Sequence, residues 1–475
     1  MSTSLATVVF AVGILGLFYL DRDKNVHTSK ALWLPVFWVL ISGSRPVTFW
    51  LGMDSNVTSA AELIEGSPLD RAIFAAMIAV GLCVLIYRFK QLKPLLKKNW
   101  PILLFFFYCL ISVMWSDFPA VAIKRWIKAI GDLVMVLIVV TDSHPTDAIR
   151  RLITRTGYIL LPVSVLMIKY YGNYGRAYDT WSGAPTNVGV AVTKNMLGVL
   201  TFVLSLGALW LVFRLIKDKN QPHRLRHFIA QGTLLAFGVS LLTMAHSATS
   251  GICFALGGFL IFATSLETIR RKPATIHVLV LAILIISGLA TVLGNESVAH
   301  AVGRRTDLTG RTDIWQAVIP LTPNPIIGAG FDSFWLGPRL QTMWDLFPNL
   351  FLNEAHNGYI ETYLDLGFVG VFFIALLLLT GYRNAVKSFR IDAAFGPSAL
   401  LLAYVFTAAV YSITEAGFRE MFIIWIFLLL ALVGSTRTST FDARIEPSEI
   451  PEPLPLRPAW QQAPISTRSR YGKTI

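Results

Sequence analysis

Cysteine and charge are what this chain has least of. Its 475 residues include three cysteines, Cys83, Cys109 and Cys253, each inside an apolar stretch. They read as small core residues, which argues against a disulfide framework and a cysteine-built metal site. Asp, Glu, Lys and Arg make up 15% of the chain, well below the roughly 25% of soluble domains. Neither a P-loop nor a G-x-G-x-x-G fingerprint occurs, so nothing points to nucleotide-driven or dinucleotide redox chemistry. The opening MSTSL lacks the basic start and small-residue cleavage site of a signal peptide, so the first apolar block is expected to be retained.

Apolar sequence is what the chain has in abundance. Hydrophobic residues account for 54%, and the mean hydropathy is +0.59. They fall in blocks at 5–20, 31–52, 72–88, 100–115, 121–141, 156–171, 196–213, 229–245, 251–266, 275–293, 362–382, 397–413 and 420–434. Such lengths suit helices crossing a hydrocarbon core about 30 Å thick, and the alternation of a barrel is missing. The fold class expected is an all-α polytopic membrane protein with 12–13 transmembrane helices and a large periplasmic loop. Block 31–52 is broken by Gly43-Ser44-Arg45-Pro46, and 121–141 starts amphipathic. Four regions follow: an N-terminal transmembrane bundle 1–293, a periplasmic loop 294–361, C-terminal transmembrane helices 362–434 and a proline-rich cytoplasmic tail 435–475.

The net charge of +13 suggests nucleic acid in a soluble protein, but its distribution says otherwise. Connectors 21–30, 88–98, 142–156, 214–227, 267–273 and 383–396, with the tail, hold 28 of the 41 Lys and Arg. By the positive-inside rule these are cytoplasmic, so no nucleic-acid partner is expected, only membrane lipids. The long connectors 53–71, 172–195 and 294–361 are then outside. A connector of that last length is seldom a plain link.

Topology also sorts the eight histidines. Only His246, His300 and His356 fall outside, and His356 stands among Asn353, Glu354, Asn357 and Glu361. Either this is a helix start capped by Asn353, with Glu354 at the positive dipole end, or it is a catalytic cluster. Both hold together if the helix end keeps the imidazole neutral, ready to act as a general base. Glu354 or Glu361 then orients the ring or merely caps the helix. Arg304, Arg305, Arg311 and Arg339 lie on the same side, as do Arg176 and Lys194, with Arg45 and Arg419 at span ends. Basic residues on the face that topology usually strips of them argue for an anionic ligand, which guanidinium forks match. The outer loops hold no D-x-D, H-E-x-x-H or cysteine, so no metal site is evident. Their aromatics, Trp315, Trp335 and Trp344 among them, read as an interfacial belt.

The strings GRTDIW (310–315), PNPIIGAGF (323–331), EAHNGYIE (354–361) and LGFVG (366–370) resemble the O-antigen ligase and Wzy-type polymerase superfamily. The pieces GSRP (43–46), MWSDFP (114–119) and KNMLG (194–198) are similar to its exopolysaccharide polymerases of the succinoglycan type. The resemblance runs to about residue 434. It implies glycosyl transfer from an undecaprenyl-pyrophosphate-linked oligosaccharide to an acceptor hydroxyl, at the outer face of the bacterial inner membrane, without metal or other cofactor. It maps the family's loop histidine onto His356 and an arginine onto Arg311, with Arg176 and Arg304 or Arg305 as further phosphate ligands. Lys194 and Asn357 complete the substrate-binding set expected. Chain-length regulator and export proteins are the partners the resemblance suggests. SATSG (247–251) departs from the pattern, since relatives often carry an arginine there.

Two rivals stay open. An O-antigen-type ligase would pass the glycan to a lipid or protein acceptor. A polysaccharide transporter or flippase would carry internal repeats and mid-span ionisable groups, and neither is evident in the sequence.

Overall fold

The computed structural model describes residues 2–441, apart from 24–25, 54–66, 179–182, 220, 273, 294–310, 349, 351 and 392–395. Among the described residues the chain is helical throughout, with one two-stranded hairpin: β1 (Arg176–Tyr178) pairs antiparallel with β2 (Pro185–Asn187). The all-α polytopic expectation holds. Arg304 and Arg305 lie outside the described residues, as do the start of the 294–361 loop and the tail beyond 441.

Ser2 caps α1 (Thr3–Leu20), whose apolar window is only 11% buried. Leu5, Val8, Val12 and Leu15 stand exposed along it, as befits a helix facing lipid. The central helices α8 (Pro145–Tyr170) and α9 (Lys194–Lys217) are 78% and 83% buried over theirs. They are buried because other helices, not lipid, surround them. Between these extremes in chain order lie α2 (Trp33–Ser42), α3 (Val47–Trp50), α4 (Pro68–Tyr87), α5 (Phe89–Lys98), α6 (Trp100–Ser112) and α7 (Pro119–Val140). After α9 come α10 (Arg224–Ala245), α11 (Ala248–Thr264), α12 (Ala274–Leu293), α13 (Arg311–Val318), α14 (Gly337–Leu346), α15 (Gly358–Ile391), α16 (Ser398–Tyr411) and α17 (Ile423–Phe441).

Among the described residues, six of these helices are long and apolar enough to cross a membrane, and the α5–α6 pair, bent by 84°, makes up to seven. Four further apolar blocks form shorter helices at 30–42, 248–264, 398–411 and 423–437. The difference from 12–13 uniform spans has physical causes. Gly43 to Pro46 ends α2 early, and α7 carries a polar stripe through Arg125, Lys128 and Asp132, all buried. In α5, Lys90, Lys93, Lys97 and Lys98 oppose buried Leu92 and Leu95, the pattern of a helix lying in the interface.

The connectors meet in two groups. Arg88 pairs with Asp142, Arg150 with Asp21, and His144 with the His27 carbonyl, all from the basic set. From the other set, Phe331 N–H donates to Ser112, Asn187 to Met244 and Thr249 meets Thr414.

Residues 311–355 fold as a cap over that second end. Ile314, Val318, Phe334, Trp335 and Met343 form a small core of their own with Ala355 and Leu364. The loop tryptophans belong to this cap rather than to a belt: Trp315 donates to the Ala355 carbonyl, and Trp344 to that of Leu352.

The motif PNPIIGAGF has a structural task. Helix α15 breaks at Gly367, where φ is 63°, and a break inside a helix frees backbone groups that need partners. The loop supplies them. Ala329 and Gly330 N–H donate to the Leu364 and Asp365 carbonyls, and Phe368 and Val369 N–H to those of Pro325 and Ile326. A Cβ on Gly367 would lie 2.2 Å from the Ile326 backbone, and one on Gly328 2.3 Å from that of Asp365. Only glycine allows this approach.

Candidate functional site

Where the cap meets the α16–α17 loop, an ionic cluster gathers from distant parts of the sequence. His356 holds a left-handed backbone (φ 52°), as do Asp332 (44°) and Met421 (61°). Strain of this kind in side chains with a Cβ persists only where surroundings enforce it, often at functional sites. His356 Nδ1 lies 2.9 Å from Glu354 Oε1 and 3.6 Å from Glu415 Oε2. Neither contact is an aligned hydrogen bond, so the ring is held mainly by charge.

Glu415 is the hub. Arg311 Nη2 donates to its Oε1 at 2.8 Å and Nη1 to the neighbouring Thr414 carbonyl. Asn195 Nδ2, at the start of α9, reaches both carboxylate oxygens at 3.1 and 3.2 Å. The SATSG turn joins here too, since Thr249 and Thr414 hydroxyls lie 3.0 Å apart.

Arg419 differs from Arg311. Its guanidinium lies 3.8 Å from Glu354 Oε2 and 3.8 Å from Asp332 Oδ1, too far for hydrogen bonds. The side chain is 11% exposed, and its Nε is buried without an acceptor. It is a nearly enclosed cation whose donors are unspent.

Behind Arg419 the network continues inward. Arg125 lies 3.3 Å from Asp332 Oδ2 and donates to its carbonyl at 2.5 Å. Asp332 and Glu420 are both buried, and each keeps a carboxylate oxygen without a hydrogen-bond partner among the described residues. Burial pushes both carboxyls up, but Arg125 and Arg419 bring Asp332 below its ordinary value. Glu420 stays well above its own, through burial first and Asp332 beside it. Met421 N–H donates to Asp132 Oδ2 at 2.8 Å, fixing this loop to α7.

Charge states follow from these contacts. Burial disfavours an imidazolium, yet Glu354, helped by Glu415, holds His356 up to about 10. Burial likewise works against the Glu354 carboxylate, but His356, Arg419 and Arg311 hold it down to about 2. The imidazole expected to be neutral is therefore a cation at neutral pH. The helix dipole argued the other way, but α15 begins only at Gly358, after the histidine, and two carboxylates outweigh it.

The other residues singled out in the sequence divide. Asn357, not Asn353, caps α15: its Oδ1 accepts from Tyr359 and Ile360 N–H at 3.0 and 3.1 Å. Its Nδ2 donates to the Ile413 carbonyl at 2.9 Å. Glu361 accepts from Trp335 Nε1 at 2.8 Å and from Ala355 N–H, so it shapes the loop and does not touch the ring. Arg176 begins β1 and spends its Nε on the Ile168 carbonyl; no contact links it to His356 among the described residues. Lys194 starts α9, and its neighbour Asn195 reaches Glu415. Glu415, Asp332 and Glu420 were missed as site residues, and Arg419 was noted only among the basic residues at span ends. The string EAGFRE (415–420) was the available signal, a charge-dense turn between two apolar blocks.

Glu354, His356 and Glu415 offer ligand atoms within 4.8 Å of one another, enough to hold a cation. Arg311 and Arg419 stand against the same carboxylates, and a divalent ion would have to overcome their repulsion.

Residues 231–375 match the family model described as O-antigen ligase. Over 323 residues the chain is 26% identical to the exopolysaccharide production protein ExoQ of Rhizobium meliloti (strain 1021), covering 64% of this chain and 70% of that one. The chain is thus a multi-pass membrane protein with a stretch similar to O-antigen ligases. The matched stretch includes Arg311, Glu354 and His356 and ends before Glu415 and Arg419.

Proposed function

We propose that this protein joins exopolysaccharide repeat units, moving a glycan from an undecaprenyl-pyrophosphate carrier to an acceptor sugar hydroxyl at the periplasmic face. The O-antigen ligase match and the likeness to ExoQ support a membrane polymerase or ligase. The regions 1–293, 294–361, 362–434 and 435–475 serve, on this reading, as transmembrane bundle, catalytic loop, closing helices and cytoplasmic tail. Chain-length regulator and export proteins would be its neighbours.

One observation carries the reading. Arg419, its donors unspent, stands in one cluster with the His356 imidazolium, whose Nδ1 faces Glu354 while Nε2 has no partner among the described residues. Two cations with free N–H groups at the rim of a membrane domain suit a lipid diphosphate. As the anomeric bond breaks, negative charge grows on the leaving diphosphate. Fixed donors then stabilise the transition state more than the ground state. Removing one such donor typically costs about 10²–10³ in rate. Arg311, engaged by Glu415 and Thr414, holds the cluster's shape. The charge on His356 moves its role from base to stabiliser of the leaving group. As the acceptor oxygen bonds the anomeric carbon and the bond to the carrier breaks, the hydroxyl proton passes to the departing diphosphate. No step needs a metal or a nucleotide.

The family description favours a second reading, transfer of a finished glycan to a lipid or protein acceptor. Disruption of the gene separates the two: single carrier-linked repeat units would accumulate for a polymerase, long unattached chains for a ligase. A transporter or flippase fits less well, because the cluster sits at one polar end and not midway along the spans. The site itself is tested by His356→Ala in cells. Loss of high-molecular-weight polymer with protein levels intact is expected, and normal polymer would refute the assignment.

A further inference from the structure

The α5 helix is a strongly charged element that glycan transfer leaves unused. Its sequence, FKQLKPLLKK, carries four lysines and no acid, and neither Asp nor Glu occurs anywhere from Arg71 to Ser116. Both ends of the helix are fixed. Arg88, just before it, donates to the Ile138 carbonyl at 2.9 Å and faces Asp142 at 3.9 Å. Asn99, just after it, donates to the Thr436 hydroxyl at 2.7 Å. The chain then bends by 84° into α6, so α5 runs across the direction of that helix.

Successive residues turn by about 100° around a helix axis, which divides the α5 surface into sectors. Leu92 and Leu95 are buried against the bundle. About 80° round from them come exposed Phe89 and half-buried Leu96, with exposed Trp100 just past the bend. Lys90, Lys93 and Lys97 follow beyond this apolar rim, within about 60° of one another. Spacings of three and four residues make them neighbours on one face. All three are exposed, and none has a hydrogen bond or ion pair among the described residues. The order of bundle, apolar rim and basic rim suits a helix lying at headgroup depth. There the aromatic and leucine side chains enter the acyl boundary while lysine stems snorkel to phosphates. A single exposed lysine needs nothing but water. Three on one face with no acid nearby in the sequence make a local positive potential that favours an anionic surface.

We propose that the Lys90–Lys93–Lys97 face of α5 binds anionic phospholipid headgroups, in the leaflet that the positive-inside rule assigns to the cytoplasm. The inference rests on charge and helix geometry and is independent of the transfer reaction.

The test places the full-length protein in nanodiscs of equal parts phosphatidylglycerol and phosphatidylcholine. The lipids it retains on release into neutral detergent are counted by native mass spectrometry. Phosphatidylglycerol should be retained in preference, and less so as salt is raised toward about 1 M. Each single Lys→Gln change should weaken its retention by about fivefold, and Lys90→Gln, Lys93→Gln and Lys97→Gln together by about 10²-fold. The same three positions changed to arginine should bind as the native protein does. A control combining Lys217→Gln, Lys219→Gln and Lys272→Gln, exposed positions off α5, removes equal charge and should also bind as the native protein does. If the α5 triple melts below the native protein, Lys93→Gln alone carries the decision. Equal retention of the two lipids by the native protein would overturn the proposal. So would a control that loses phosphatidylglycerol as fully as the α5 triple. Undiminished retention by the α5 triple would overturn it too, leaving this face to solvent or to an acidic protein segment.

Discussion

At the residue scale, the pairing of His356 with Glu354 decides the charge available to a substrate. An imidazolium held at about 10 implies activity that falls as pH rises through that value. A neutral general base would instead lose activity as pH falls below its pKa. Glu354→Gln removes the negative charge that raises the ring, so its alkaline limb should move to lower pH than in the native protein. An unmoved limb would mean that His356 does not govern the profile. Stability carries the same signature with the sign set by each shift. The His356 pKa is raised from 6.5 to about 10, so its contribution is full below 6.5 and lost as pH rises through about 10. The Glu354 pKa is lowered from 4.5 to about 2, so its contribution is full above 4.5 and lost as pH falls through about 2.

The sequence singled out His356, Arg311 and Glu354 because few ionisable residues lie on the outer side. It named Arg419 only among the basic residues at span ends and did not single out Glu415. Both sit more than fifty residues beyond the motif, and only the pairing of the cap with the α16–α17 loop brings them to the histidine. Glu361 and Asn357 looked equal to Glu354 in the string EAHNGYIE, yet one holds Trp335 and the other caps a helix. Side-chain direction, which spacing alone does not give, separates them.

At the element scale, the break in α15 and the loop that pairs with it act as one unit. PNPIIGAGF and LGFVG were legible as motifs, but their common purpose required the backbone bonds between them. Gly367→Ala puts a Cβ 2.2 Å from the Ile326 backbone at a positive φ of 63°. Left-handed geometry alone costs about 1–2 kcal/mol per residue, and the clash adds to it. The variant should melt below the native protein in detergent and should lose activity along with structure. A Gly13→Ala control on α1, where a Cβ meets nothing within 4 Å, should leave both unchanged. An unaltered melting temperature for Gly367→Ala would contradict the pairing of loop and break.

At the scale of the whole molecule, apolar blocks and charge asymmetry carried most of the architecture. The all-α class was readable from composition, and the two groups of connectors from lysine and arginine alone. The break at Gly43 to Pro46 and the amphipathic start of 121–141 were readable; that neighbouring helices bury the stripe of Arg125, Lys128 and Asp132 was not. Orientation is checked in a Cys83→Ser background with membrane-impermeant maleimide. A cysteine replacing Asp117, 61% exposed, should label in intact cells. One replacing Leu225, 71% exposed, should label only after permeabilisation; the reverse pattern would invert the topology.

The central claim is that the His356–Arg419 cluster stabilises a departing lipid diphosphate. The most direct measurement is release of free prenyl diphosphate by the purified protein given a synthetic prenyl-diphosphate-linked oligosaccharide, with chelator present and no nucleotide sugar. The account predicts one diphosphate released for each glycosidic bond formed, and a fall of about 10²-fold or more in Arg419→Met and His356→Ala. Absence of release by the native protein, or native rates in both variants, would contradict it.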